Sequence, residues 1–395
     1  MNTVESGARL LFRTALLIFL VTIVIGILNG LDVWEPTHNM LLTHVHAGTL
    51  GWITLSVIGA GVLLFGEGIG TDDAAATGVR TLAFGAIAAV VIYVIAFATG
   101  TGIFRPIAGT LMLAAIVWVL VWVSGRYRSS AKTTGHLGLL LAVISLTIGA
   151  VLGVLLGLFI ANGSIPGLSD ETASSLAGAH PPAMLIGYLV LAGAAIVHWL
   201  LDGPQSTAGR LVMWALFAGG IAANLSFILD IEPLVQVATV LEVAAIVTFT
   251  VHMWSRLKPT AWSAQGAANF ARLSAVFLVI GVALLVYVVQ LFISGELDPE
   301  TGTGPVGVLL AFDHSMFIGV MTNALFALVA RSSAGEANPA LLWSVNGGLV
   351  LFLLGLILDV SVLIRIGAPV MGLALIYAVF VFFTQLGAPR AEAVV

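Results

Sequence analysis

The chain contains no cysteine. That excludes disulfides, thiolate metal sites, iron–sulfur clusters and thioether-linked cofactors. Charge is scarce as well: Asp, Glu, Lys and Arg make up 8% of 395 residues, and the net charge is −5. No basic stretch is present to follow a phosphate backbone, so nucleic acid is not an expected partner. With thiolates gone, any metal ligand must be His, Met, Asp or Glu.

What is there is apolar. Hydrophobic residues make up 60% of the chain and mean hydropathy is +1.13, whereas a soluble domain is about 45–50% apolar. The composition describes a polytopic membrane protein whose main partner is the lipid bilayer. A spanning helix needs about 20 mainly apolar residues. Twelve such runs are present, at 10–30, 39–65, 80–100, 106–125, 136–161, 173–201, 209–229, 233–254, 271–294, 305–330, 340–360 and 364–386. They are too long for buried strands and show no two-residue alternation, so the expected fold is all-α.

Basic residues collect on the cytoplasmic side of membrane proteins. With both termini inside, the inner segments hold Arg9, Arg13, Arg80, Arg126, Arg128, Lys132, Arg210, Arg256, Lys258, Arg272, Arg331 and Arg390. The outer segments hold only Arg105 and Arg365 and are otherwise acidic, with Asp32, Glu35, Asp170, Glu171, Asp230, Glu232, Glu296, Asp298, Glu300 and Asp359. The first span reads as an anchor rather than a cleaved signal, because it is long and lacks a small-residue cleavage site.

An internal repeat divides the chain at about 1–130, 131–262 and 263–395. The first span of each group ends alike, in Asn29-Gly30, Asn162-Gly163 and Ser294-Gly295. The next span carries a His near its outer end: His46, His180 and His314, 134 residues apart both times. An ungapped alignment equates these three. Anchoring on Gly51, Gly187 and Gly319 instead sets His44 opposite His180 and His46 opposite His314. The glycine register is preferred, because an aromatic follows the glycine at Trp52 and Tyr188. The expected architecture is one membrane domain of twelve helices in three pseudo-symmetric four-helix arcs.

Ionisable groups inside a membrane are costly and mark functional sites. His44, His46, His180 and His314 lie within spans, whereas His38, His136, His198 and His252 sit at helix ends, where a bond to water or a loop is expected. His44 and His46 are two apart on a helix and point about 200° apart. They cannot share one metal, but they can serve two neighbouring faces. Two imidazoles facing each other from different helices suit the axial positions of a haem iron. Asp313 and Thr43 are candidate outer partners of those ligands. Alternatively, the four histidines pack in helix interfaces and bond across them.

Twelve spans in three groups of four, inner termini, and His near the outer ends of spans two, six and ten resemble the catalytic subunit of haem–copper oxidases and nitric oxide reductases. The resemblance implies that His46 and His314 ligate a low-spin haem b. It also implies that Arg365 meets haem propionates and that His180-Pro181 stands where the family places a ligand of its second metal. Without cysteine there is no copper–thiolate entry site, so electrons are expected from a partner protein or a quinol, and the expected location is a prokaryotic plasma membrane, crossed many times. Two departures count against a standard copper site, so copper is not expected. Span seven has no His, and Phe312 replaces the family's other His on span ten. The chain is similar, more loosely, to the NnrS family of haem proteins.

The resulting expectation is an oxidoreductase-like haem b protein for electron transfer, or for binding or reducing O2 or NO. Its metal ligands would be His46, His314, His44 and His180, with Arg365 and Arg105 binding propionates. A haem between His46 and His314 leaves His44 facing the arc of His180, which allows a second haem there. The alternatives are a cofactor-free transporter or scaffold, and an active reductase with an unusual metal at His180. Glu242, mid-membrane on span eight, is read as a proton-path residue or as a structural partner of Asn224, Gln290 or Asn323. Tyr93, Tyr188, Tyr287, Met40, Met184 and Met316 are read as packing residues.

Overall fold

A computed structural model describes residues 3–69, 73–100, 102–263, 266–297, 303–333 and 338–388. Arg390, Asp298 and Glu300 lie outside the described residues. The described residues form helices and short connections, with no β-strand among them. Twelve helices are long and apolar enough to cross a membrane, numbered here as spans 1 to 12: Val4–Gly30, His38–Phe65, Thr77–Thr99, Phe104–Ser129, Thr134–Asn162, Glu171–Leu200, Thr207–Ile228, Pro233–His252, Ala268–Ile293, Val306–Ser332, Pro339–Ile357 and Ser361–Gly387.

Polar residues punctuate these runs. The first backbone N–H groups of a helix lack intrahelical partners, and side chains at Thr37, Thr133, Ser169, Ser206 and Asn338 accept from them. Pro233 and Pro339 occupy first-turn positions, where the missing N–H costs nothing.

Spans 2, 6 and 10 form the centre. In their most apolar stretches 94%, 78% and 72% of residues are buried, against at most 50% in any other span. The rest surround them: contacts run from span 1 to 3, 4, 5, 7, 8 and 9, then through span 10 to 11, 12 and back to 1. Each central span has the same interior. An α-helix gives way to an eight-residue π-helix and then resumes, with π segments at Ala47–Thr54, Ala183–Val190 and Ser315–Thr322. Short π segments are rare and often mark functional sites. Pro181 and Pro182 do not break span 6, which continues as helix straight into its π segment.

Gly51, Gly187 and Gly319 all stand fifth in their π segments. A Cβ at each would meet the preceding span: Ile18 of span 1, Ser145 of span 5 and Phe277 of span 9. The π segments thus align the three central spans on these glycines. In that alignment His46 and His314 directly precede the π segment, as Pro182 does on span 6. His44 and His180 stand two residues earlier still, as Phe312 does on span 10.

Hydrogen bonds join the π segments at two of their three interfaces. The Trp52 indole N–H donates to Thr322 Oγ1 at 3.0 Å, and the Tyr188 hydroxyl donates to Thr54 Oγ1 at 3.2 Å. Both threonines are last in their segments and donate in turn to the carbonyls of Phe317 and Thr49, each at 2.9 Å. The third interface, between spans 10 and 6, carries Val320 and Val190 at the matching places.

Candidate functional site

The four mid-span histidines line gaps between helices. Each is half-buried rather than sealed, and each directs Nδ1 at a backbone carbonyl. His44 bonds Thr22 O of span 1 at 2.9 Å, and His180 bonds Gly149 O of span 5 at 3.0 Å. His46 and His314 bond the carbonyls one turn back on their own helices, Leu42 O at 2.7 Å and Leu310 O at 2.8 Å. A carbonyl can only accept, so Nδ1 carries the proton in all four rings and Nε2 keeps its lone pair. That is the tautomer a metal-ligating imidazole needs, with its other nitrogen anchored. Asp313 and Thr43 do not play the anchoring part expected of them. Thr43 bonds Asn39 O, and Asp313 Oδ1 is buried without a partner.

The rings fall into two kinds. His44 and His180 lie against a glycine of the neighbouring first span: a Cβ at Gly26 would be 3.0 Å from His44 Cε1, and one at Gly153 would be 2.9 Å from His180 Cε1. His46 and His314 lie against aromatic rings, Phe97 at 4.1 Å and Phe352 at 4.9 Å between centroids. Tyr93 also flanks His46, at 5.5 Å.

The pairing differs from the one expected. His44 turns toward span 1 and His314 toward span 11, so both border one gap, while His46 turns toward span 3 and His180 toward span 5, so both border another. His46 and His314 thus border different gaps, and so do His44 and His180. The reason is geometric. His46 and His314 hold the same register position on two pseudo-equivalent helices, so they turn toward corresponding sides, not toward each other. Each gap therefore takes one ring of each kind. The His44–His314 gap lies among spans 1, 2, 10, 11 and 12, and the His46–His180 gap among spans 2, 3, 4, 5 and 6.

Each of these gaps has an arginine at the outer end of a bordering span. Arg105, at the start of span 4, lies over the Phe97 ring, which itself packs against His46 and Tyr93. Its Nη2 donates to Asn39 Oδ1 at 2.6 Å, its guanidinium stacks over Phe97, and its Nε is buried without a partner. Arg365, near the start of span 12, is exposed and pairs with Asp32 at 2.6 Å.

The third gap, bordered by spans 6 to 10, has neither feature. Pro182 and Phe312 hold the histidine positions, and span 8 contains no Arg or Lys. Glu242 of span 8 is buried there against Gly219 of span 7. Neither its carboxyl oxygens nor Asn224 Oδ1 has a partner, so none of the bonds expected for Glu242 forms. Asn323 instead exchanges bonds with Asn346 of span 11 at 2.7 and 3.0 Å.

Three of the helix-end histidines bond loop or cap groups. His198 and His252 both donate from Nε2 to Pro204 O, and His136 Nδ1 pairs with Thr133 Oγ1. Tyr188 bonds Thr54 in the core, Met184 and Met316 are buried, and Tyr287 lies on the surface.

No group of three or more metal-ligating side chains occurs among the described residues. Two imidazoles alone are an incomplete set for a bare ion. They fit a metal that arrives with its own equatorial ligands, as iron does in a porphyrin. No protein-family profile matches the chain, and no curated protein matches it either.

Proposed function

We propose that the chain is a membrane haem b protein that carries electrons, with His44 and His314 as the residues that would hold the haem. The observation behind this reading is a pair of histidines bordering the same gap. Two imidazoles on different helices border one gap, each with Nδ1 tied to a carbonyl and Nε2 free. When bound, such a group would supply one-electron chemistry.

The chain's part is to hold and insulate. Thr22 O fixes the His44 ring and Leu310 O the His314 ring. Gly26 leaves the His44 ring space, Phe352 backs the His314 ring, and Arg365 offers a cation at the outer end for propionates. The likeness to haem–copper oxidases supports this reading, with His44 in place of His46 as the span 2 ligand. The basic inner segments support an orientation with both termini inside, and the likeness to haem–copper oxidases supports a prokaryotic plasma membrane. The electron donor would be a partner protein or a quinol.

The purified protein is expected to show a Soret band, with sharp α and β bands on reduction. His314→Ala should abolish that low-spin signature at its own gap. A colourless preparation from haem-sufficient cells would favour the cofactor-free transporter or scaffold. Copper in metal analysis would favour the reductase with a second metal. Orientation is testable because the chain has no cysteine. Ser164→Cys should react with an impermeant maleimide on intact cells, and Ala131→Cys only after lysis.

A further inference from the structure

We infer that the chain has a second, separate macrocycle site in the neighbouring gap, where His46 and His180 would hold the group and Arg105 would pair with its propionates. The inference rests on the haem reading above, but its observations are its own. Superposing the π segments in turn (span 10 on span 2, span 2 on span 6) carries His314 onto His46 and His44 onto His180. The first pair therefore maps onto the second, ring kind for ring kind.

The surroundings repeat too. Thr22 O and Gly149 O anchor the glycine-packed rings, and in each case a glycine one turn further on, Gly26 or Gly153, makes space for the imidazole. Aromatic rings back the other member, Phe352 in one gap and Phe97 in the other. An arginine enters on the fourth span of the group, at Arg365 and Arg105. The next step of the same operation leads to Pro182, Phe312 and a span 8 without Arg or Lys. The histidines and the arginine are lost together in that gap, as expected if they serve one ligand.

Arg105 supplies an observation that points to a ligand. Its Nε is buried and unpartnered, beside an amide, a carbonyl and a ring rather than a carboxylate. A cation so placed at the mouth of the gap matches an acidic edge, which a haem carries as propionates. Counting about 1.5 Å per residue from the outer helix ends, both pairs lie roughly 9–14 Å deep. His44 and His46 sit on one helix and would hold the two groups side by side, across span 2.

The test is haem stoichiometry by pyridine haemochromogen against quantified protein, with iron and copper measured in parallel. The wild type should hold two haems per chain. His46→Ala and His180→Ala should each leave one, and so should His44→Ala and His314→Ala. His46→Ala combined with His314→Ala should leave none. The haem kept by each single variant shows that the variant is folded. His180→Met should keep two haems, with one converted to a His–Met spectrum.

One haem in the wild type, lost with His314→Ala but kept with His46→Ala and His180→Ala, overturns the second site alone. One haem lost with His46→Ala but not with His314→Ala upholds this site and overturns the first. Copper in place of the second iron, or no haem at all, overturns the inference.

Discussion

Trp52 and Thr322 are joined by a buried hydrogen bond of 3.0 Å that ties span 2 to span 10 at the centre of the bundle. Thr322 also donates to the Phe317 carbonyl, so a single hydroxyl serves a neighbouring helix and its own widened turn. Thr54 does the same for Tyr188 and the Thr49 carbonyl. Valine matches threonine in shape but can neither accept nor donate. Thr322→Val therefore strands an indole N–H and should cost about 1–3 kcal/mol. Thr54→Val should cost a similar amount. Val190→Thr, at the interface where no aromatic donor stands, should bring no gain. Reversible unfolding in detergent measures all three.

The glycines beside the histidines predict a selective defect. A side chain at Gly26 would push on the His44 ring, and one at Gly153 on the His180 ring. Gly26→Val should empty the gap among spans 1, 2, 10, 11 and 12 and leave the other intact. Gly153→Val should do the reverse. Each should halve the haem-to-protein ratio, and the variant pair should differ in which spectral component survives.

The two arginines should not be equivalent. Arg105 is partly enclosed and has no carboxylate partner, while Arg365 is exposed and already paired with Asp32. A charge-assisted bond in an enclosed site is worth about 1.5–3 kcal/mol, so Arg105→Gln should weaken haem retention at its gap roughly 10- to 100-fold. An exposed ion pair is worth about 0–1 kcal/mol, so Arg365→Gln should change retention by no more than about fivefold. Rates of haem transfer to apomyoglobin measure the difference.

Much of this architecture can be read from the residues. Apolar length alone places the helices: the run at 39–65 is the helix His38–Phe65, and that at 305–330 is Val306–Ser332. The four histidines stand out because each lies near a glycine that recurs in all three groups. Their pairing is less legible. A 3.6-residue period shows that His44 and His46 face apart, and the structure agrees. Choosing the partner of each requires the order of helices around the centre, which periodicity does not contain. The π segments are also hidden, because Ala47–Thr54, Ala183–Val190 and Ser315–Thr322 share little beyond the fifth-place glycine. The anchoring groups are backbone carbonyls, which any sequence would supply, so residue types point wrongly to Asp313 and Thr43.

Glu242 tests the third gap. Its carboxyl is buried against Gly219, and neither oxygen has a partner. An unsatisfied buried polar group costs about 1–3 kcal/mol, and an apolar replacement of similar shape removes that cost. Glu242→Leu should therefore stabilise the protein by about that amount. Glu242→Gln keeps polar atoms in the same place and should not. Since this gap carries Pro182 and Phe312 where the others carry histidine, both variants should retain the full haem complement. Denaturation in detergent and the haem-to-protein ratio, measured on the same samples, check both statements. A Glu242→Leu protein that is less stable than wild type would mean that the carboxyl has a partner or a task in the membrane, as an ionisable group at such depth often does.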